Sequence, residues 1–127
     1  MSSTETAETG LEIGSLPTAV WVGVLAAVVS GLTHLRLGIG NLPSPLGISF
    51  LLAGIAFLVA VALVLVGYRR RTVYAVGIPF TLAQILAWYY LNFAAGPKSF
   101  PADVGTLGAV DKVAQLVLIV VLVALLR

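Results

Sequence analysis

A single histidine, His34, and one aspartate at the head of an apolar run, Asp111, are the side chains from which this sequence could build proton or ion chemistry. His34 lies in Gly31-Leu32-Thr33-His34-Leu35, and Asp111 opens Asp111-Lys112-Val113-Ala114-Gln115. Ionisable groups set in apolar segments are costly, so they face the protein interior, pair, and mark proton relays and ion paths. Helical spacing gathers further polar residues around them. Gln84, Trp88 and Asn92 share one helix face, Asp111 and Gln115 a second, and Ser30 and His34 a third. His34, Gln84, Trp88, Asn92, Asp111 and Gln115 are therefore the candidate ligand or ion residues, with His34 and Asp111 as the leading pair. The plainer use of the same residues is polar glue between helices, where each interhelical hydrogen bond contributes about 0.6 kcal/mol.

Other chemistries fail on counting. A bis-histidine haem needs two axial ligands, so His34 could serve only in an oligomer that supplies one histidine from each copy. Zinc and copper sites need further His, Cys or Met, and the chain has no cysteine and a single methionine, Met1. Gly38-Ile39-Gly40 is too short to cradle phosphate and follows no strand. The serines form no arrangement with histidine and an acid that suits hydrolysis. No catalytic residue, metal ligand or cofactor is expected, and the class expected is non-enzymatic.

The elements that must position these residues are written in the composition. Sixty per cent of the 127 residues are apolar and 9% are charged, whereas about a quarter of a soluble domain is charged. With a mean hydropathy of +1.10, most of this chain is expected to have lipid as its solvent. At about 20 residues per crossing, the length accommodates four spans with short loops. The expected fold is an all-α membrane protein, four transmembrane helices in an antiparallel bundle, with spans over 17–37, 46–67, 73–95 and 104–126. The last is inferred from length: the apolar run Val113 to Leu126 covers only roughly 21 Å at 1.5 Å per residue. To cross about 30 Å of hydrocarbon, that helix must take in Asp111, Lys112 and Gln115.

Residues 1–16 carry Glu5, Glu8 and Glu12 and no Lys or Arg, and are expected to form a disordered acidic cytoplasmic tail. They lack the basic n-region of a secretory signal, so the first span is expected to be retained.

Tyr68-Arg69-Arg70-Arg71 sets the topology. Lys and Arg collect in cytoplasmic loops, so Arg69, Arg70 and Arg71 anchor the inner face and both termini are expected to be cytoplasmic. Four basic residues then lie inside (Arg69, Arg70, Arg71, Arg127) against three on the outer half (Arg36, Lys98, Lys112). In that frame His34 lies roughly 5 Å and Asp111 roughly 6 Å below the outer boundary, with Trp88 at a similar depth. Arg36 and Lys112 have stems long enough to snorkel to the headgroups. Gly23, Ala27 and Gly31 on the first span, and Ala56 and Ala60 on the second, form small-residue faces that allow close helix packing.

The same residues carry a resemblance. Gly31 to Leu35, Leu46-Gly47-Ile48-Ser49-Phe50-Leu51-Leu52-Ala53-Gly54, Tyr68 to Arg71, Gly77-Ile78-Pro79-Phe80-Thr81, Gln84, Trp88 and Asp111 to Gln115 resemble a family of small four-span membrane proteins of unknown function from halophilic archaea, over about residues 16–127. The resemblance implies the fold and no activity. Small multidrug exporters share the size but rely on a glutamate in the first span, which this chain lacks. The expected function is a non-enzymatic accessory or structural component of the cell membrane, in contact with lipid and with further membrane subunits or a second copy of itself. The net charge of +2 is too small and too clustered for nucleic acid. The alternatives are a small transporter or channel subunit built on His34, Asp111 and Gln115, and a redox subunit that binds a cofactor through His34 in an oligomer.

Overall fold

The computed structural model describes residues 15–127. Four long helices follow one another: α1 over Thr18–Gly40, α2 over Pro45–Leu65, α3 over Arg70–Tyr89 with a π-helical continuation over Tyr90–Ala94, and α4 over Thr106–Leu126. No strand occurs among the described residues. Each of the four is long and apolar enough to cross a membrane by length and composition. The acidic tail expected over residues 1–16 lies outside the described residues, Ser15 and Leu16 excepted.

The helix ends differ from expectation where turn chemistry decides them. α1 runs on to Gly40 because Asn41 caps it, its side-chain Nδ2 donating to the Leu37 carbonyl at 2.7 Å. α2 starts at Pro45, whose missing N–H costs nothing in a first turn, and the Ser44 hydroxyl accepts from Gly47 N–H at 3.1 Å. At the opposite end Gly67 (φ 77°) and Arg69 (φ 48°) both adopt left-handed backbone. That reverses the chain within four residues, so α3 begins at Arg70 rather than Val73.

Neighbouring helices run antiparallel. Along α1, Gly31 faces Phe57 and Gly54 while Gly38 faces Leu51; Gly23 faces Val121 of α4 while Ser30 reaches back to Asp111. A Cβ built on Gly54 would stand 2.8 Å from the Gly31 carbonyl oxygen. The α1–α2 contact therefore passes through backbone, and it depends on Gly31 and Gly54 having no side chain. Ala56 and Ala60, the face expected to pack closely, instead border a cavity. The tightest approach follows the glycines because only they leave no Cβ between backbones.

α1 touches α2 and α4 along most of its length, and α4 touches α3, but α2 and α3 meet far less. The apolar core sits towards the end that carries the arginines, around Val20, Phe57, Val64, Tyr74, Leu118 and Leu122. The most deeply buried side chains are polar: Gln115, Thr81 and Ser30 each have 0% exposure, while Leu25, Leu52, Val76 and Val120 lie on the outside.

Candidate functional site

Three helices build one polar layer. α1 contributes Ser30 and His34, one turn apart, on the side turned towards α4. The Ser30 hydroxyl donates to Asp111 Oδ1 at 2.6 Å. His34 Nδ1 lies 2.8 Å from the Ser30 carbonyl; a carbonyl only accepts, so Nδ1 carries the hydrogen. The expected pair is thus adjacent but not directly bonded: His34 Nδ1 stands 3.7 Å from Asp111 Oδ1, with Ser30 bridging them. The imidazole packs against Phe50 and Phe57 of α2, ring centroids 5.8 Å away in each case.

On α4 the other oxygen of Asp111 accepts from Lys112 Nζ at 2.7 Å. Lys112 also donates to Gln115 Oε1 at 2.8 Å and stands 5.3 Å from the Trp88 ring centroid. Gln115 Nε2 then donates to Gln84 Oε1 of α3 at 3.0 Å. A continuous chain of polar groups runs from His34 through Ser30, Asp111, Lys112 and Gln115 to Gln84, tying α1 to α4 and α4 to α3. Its charges cancel locally: the Asp111 and Lys112 side chains are 5% and 12% exposed, and each neutralises the other where neither could stand alone.

Five of the six candidate residues meet here. Asn92 does not; its Nδ2 returns to the Trp88 carbonyl at 2.9 Å, a local bond on its own helix. Lys112 departs from the expectation of snorkelling: its stem folds inward, and its ammonium is held by Asp111 beside it and Gln115 one turn on. Arg36 is exposed. Ser30, which shares a face with His34, proves to be the hinge of the network. Thr81 had no place in the expected site, although its hydroxyl is buried and bonded to nothing.

At the opposite end the arginines meet helix ends. Arg70 Nε donates to the Val64 carbonyl at 2.7 Å, and an Arg71 guanidinium N–H donates to the Leu126 carbonyl at 3.3 Å. These are last-turn carbonyls of α2 and α4, at the negative pole of the helix dipole; the Val64 carbonyl also accepts the Gly67 N–H at 3.1 Å. Arg69 stacks on Tyr68, its Cζ 5.4 Å from the ring centroid.

Two apolar hollows flank the polar layer. One, of about 360 Å³, is bordered by all four helices and lies where α2 and α3 separate. The other is an open groove on α1 and α4 bordered by Ala26, Val29, Val113 and Ala114 among others. Neither is lined by His34, Asp111, Lys112 or Gln115.

Residues 5–126 match a family described as a family of unknown function, DUF7475, and the chain belongs to it. The match begins within the acidic segment rather than after it. No curated protein and no solved structure matches the chain.

Proposed function

We propose that this member of a family without an assigned activity is a non-enzymatic, multi-pass component of the cytoplasmic membrane, in which the buried polar layer clamps three helices together. The observation that carries this reading is the inversion of polarity. Large apolar side chains cover the outside while Ser30, Thr81 and Gln115 are its most buried residues. Soluble monomers rarely expose contiguous apolar patches beyond a few hundred Å², whereas lipid makes that surface the solvated one. Tyr68 to Arg71 then belongs at the cytoplasmic face, with both chain ends on that side and the Asn41–Ser44 turn outside. The resemblance to four-span proteins of halophilic archaea belongs to this reading, as does contact with lipid and with further membrane subunits or a second copy.

The clamp is favoured over a transport site because its groups are spent on one another: Asp111 accepts from Ser30 and Lys112, and Gln115 joins Lys112 to Gln84. A second reading, a proton-linked transporter or channel subunit, draws on the proximity of His34 to Asp111 at 3.7 Å, a pair able to exchange a proton if water reached it.

Vesicles that hold the purified protein and a pH-reporting dye separate the two. The clamp predicts that an imposed proton gradient decays as it does in protein-free vesicles. Faster decay that an Asp111→Asn variant abolishes would establish the transporter instead. Labelling of Ser99→Cys and Arg127→Cys variants from the two sides of the membrane checks the orientation: Ser99→Cys should react from outside and Arg127→Cys only from inside.

A further inference from the structure

From the cavity between α2 and α3 we infer a binding site for a neutral, membrane-soluble molecule that carries a carbonyl oxygen on an apolar body. The inference rests on the membrane reading above for its route of access, the gap between two helices that barely touch.

The cavity is walled by apolar side chains such as Val24, Ala60, Phe80 and Leu118, and of the hydroxyl-bearing residues on its wall, Thr72, Tyr74 and Thr81, Thr81 is the one with 0% exposure. Thr81 is 11 residues beyond Arg70, roughly 16 Å along the helix and close to the middle of a crossing. Its hydroxyl is completely buried and unpartnered. The contrast with Thr33 is direct: that hydroxyl, also buried, is bonded back to the Val29 carbonyl at 2.8 Å, the usual resort of threonine in a helix. One turn beyond Thr81 on the same face, the Nε2 of Gln84 is also buried and without an acceptor, although its Oε1 is taken by Gln115. Gln84 lies outside the cavity lining, so it is the Thr81 hydroxyl on the cavity wall that calls for an acceptor supplied from outside the chain, since a buried donor left unmade is expensive.

That chemistry selects the ligand. The acceptor must be uncharged, because an ionised group at this depth is strongly disfavoured. The body must be apolar to suit the walls. An apolar cavity of about 150 Å³ already takes up benzene, so about 360 Å³ holds a ring with part of a tail, and the rest of the tail can leave between α2 and α3 into lipid. Aryl ketones, quinones and similar carbonyl lipids share these features.

The test uses the full chain in bilayer discs with carbonyl-labelled decanophenone, an aryl ketone with a ten-carbon acyl chain. Uptake should exceed that of empty discs, saturate at one molecule per protein, and lower the carbonyl stretching frequency. Decylbenzene, which lacks the carbonyl, should compete at least threefold more weakly. Ala60→Phe, which fills the cavity, should abolish saturable uptake. Thr81→Val should weaken it about threefold to tenfold and return the carbonyl frequency towards its value in lipid. The same variant, freed of an unmade hydrogen bond, should melt higher than the parent without ligand. Uptake no greater than in empty discs, or uptake indifferent to both substitutions, overturns the site. So does a Thr81→Val protein with unchanged melting and unchanged uptake, because the hydroxyl would then be satisfied within α3. Folded protein in discs without uptake refutes the site alone; protein that cannot be placed in a bilayer refutes the membrane reading.

Discussion

The two halves of this bundle solve the packing problem in opposite ways. Towards the Asn41–Ser44 turn, polar side chains fill the interior and each bonds to another, from Ser30 and His34 through Asp111, Lys112 and Gln115 to Gln84. Towards the arginines the interior is apolar, and α2 and α3 part to leave a cavity of about 360 Å³. On the proposed membrane reading, apolar contact between helices gains little over contact with lipid, so specific helix pairing rests on hydrogen bonds and close backbone approach. α1, α3 and α4 have the hydrogen bonds. α2 takes no part in that network: it packs on α1 through Gly54 and through Phe50 and Phe57 against His34, and meets α3 at Phe80 and at the Arg70 bond to Val64. A buried hydrogen-bonded network closes one half, whereas in the other the hydrogen bonds lie only at the helix ends and the apolar interior stays open between α2 and α3.

The contrast makes graded predictions, each readable as a shift in the unfolding midpoint on denaturation from mild detergent. Asp111→Ala leaves the Lys112 ammonium buried beside acceptors that cannot neutralise it, and should cost about 3–5 kcal/mol. Ser30→Ala removes the hydroxyl that joins α1 to the Asp111 carboxylate and should cost about 1.5–3 kcal/mol, the range for hydrogen bonds to charged groups. Gly54→Ala drives a methyl towards the Gly31 carbonyl and should cost about 1–3 kcal/mol by overpacking. Arg71→Gln should cost least, about 0.3–1 kcal/mol, since it removes one exposed donor from the end of α4. A reversed order, with Arg71→Gln more damaging than Asp111→Ala, would mean that the arginine end and not the polar layer holds the helices.

The four helices could be read from the chain because runs of about 20 apolar residues have few other uses. Their ends could not, because a capping Asn41 and a left-handed Arg69 act over a residue or two. Counting residues along the expected spans puts His34, Trp88 and Asp111 at one level, and the structure brings those residues into one layer. Depth counting carries no azimuth, and for that reason Ser30, the residue that joins His34 to Asp111, did not stand out. Lys112 was ambiguous by chemistry: its stem reaches headgroups or neighbours equally well, and the i, i+3 spacing to Gln115 was the available sign that it turns inward. The cavity left no trace in the pattern of residues, since it arises from how α2 leans from α3 and not from which apolar residues line them.

The closed polar layer is tested most directly by a single thiol placed inside it. The chain has no cysteine, so a Ser30→Cys variant in sealed vesicles carries one reactive site, at the centre of the network. Exposed to a membrane-impermeant maleimide from either side, it should stay unlabelled until the protein is unfolded in strong detergent. Labelling of the folded protein from one side, at a rate near that of an exposed control such as Ser99→Cys, would show a water path to Asp111 and contradict the clamp.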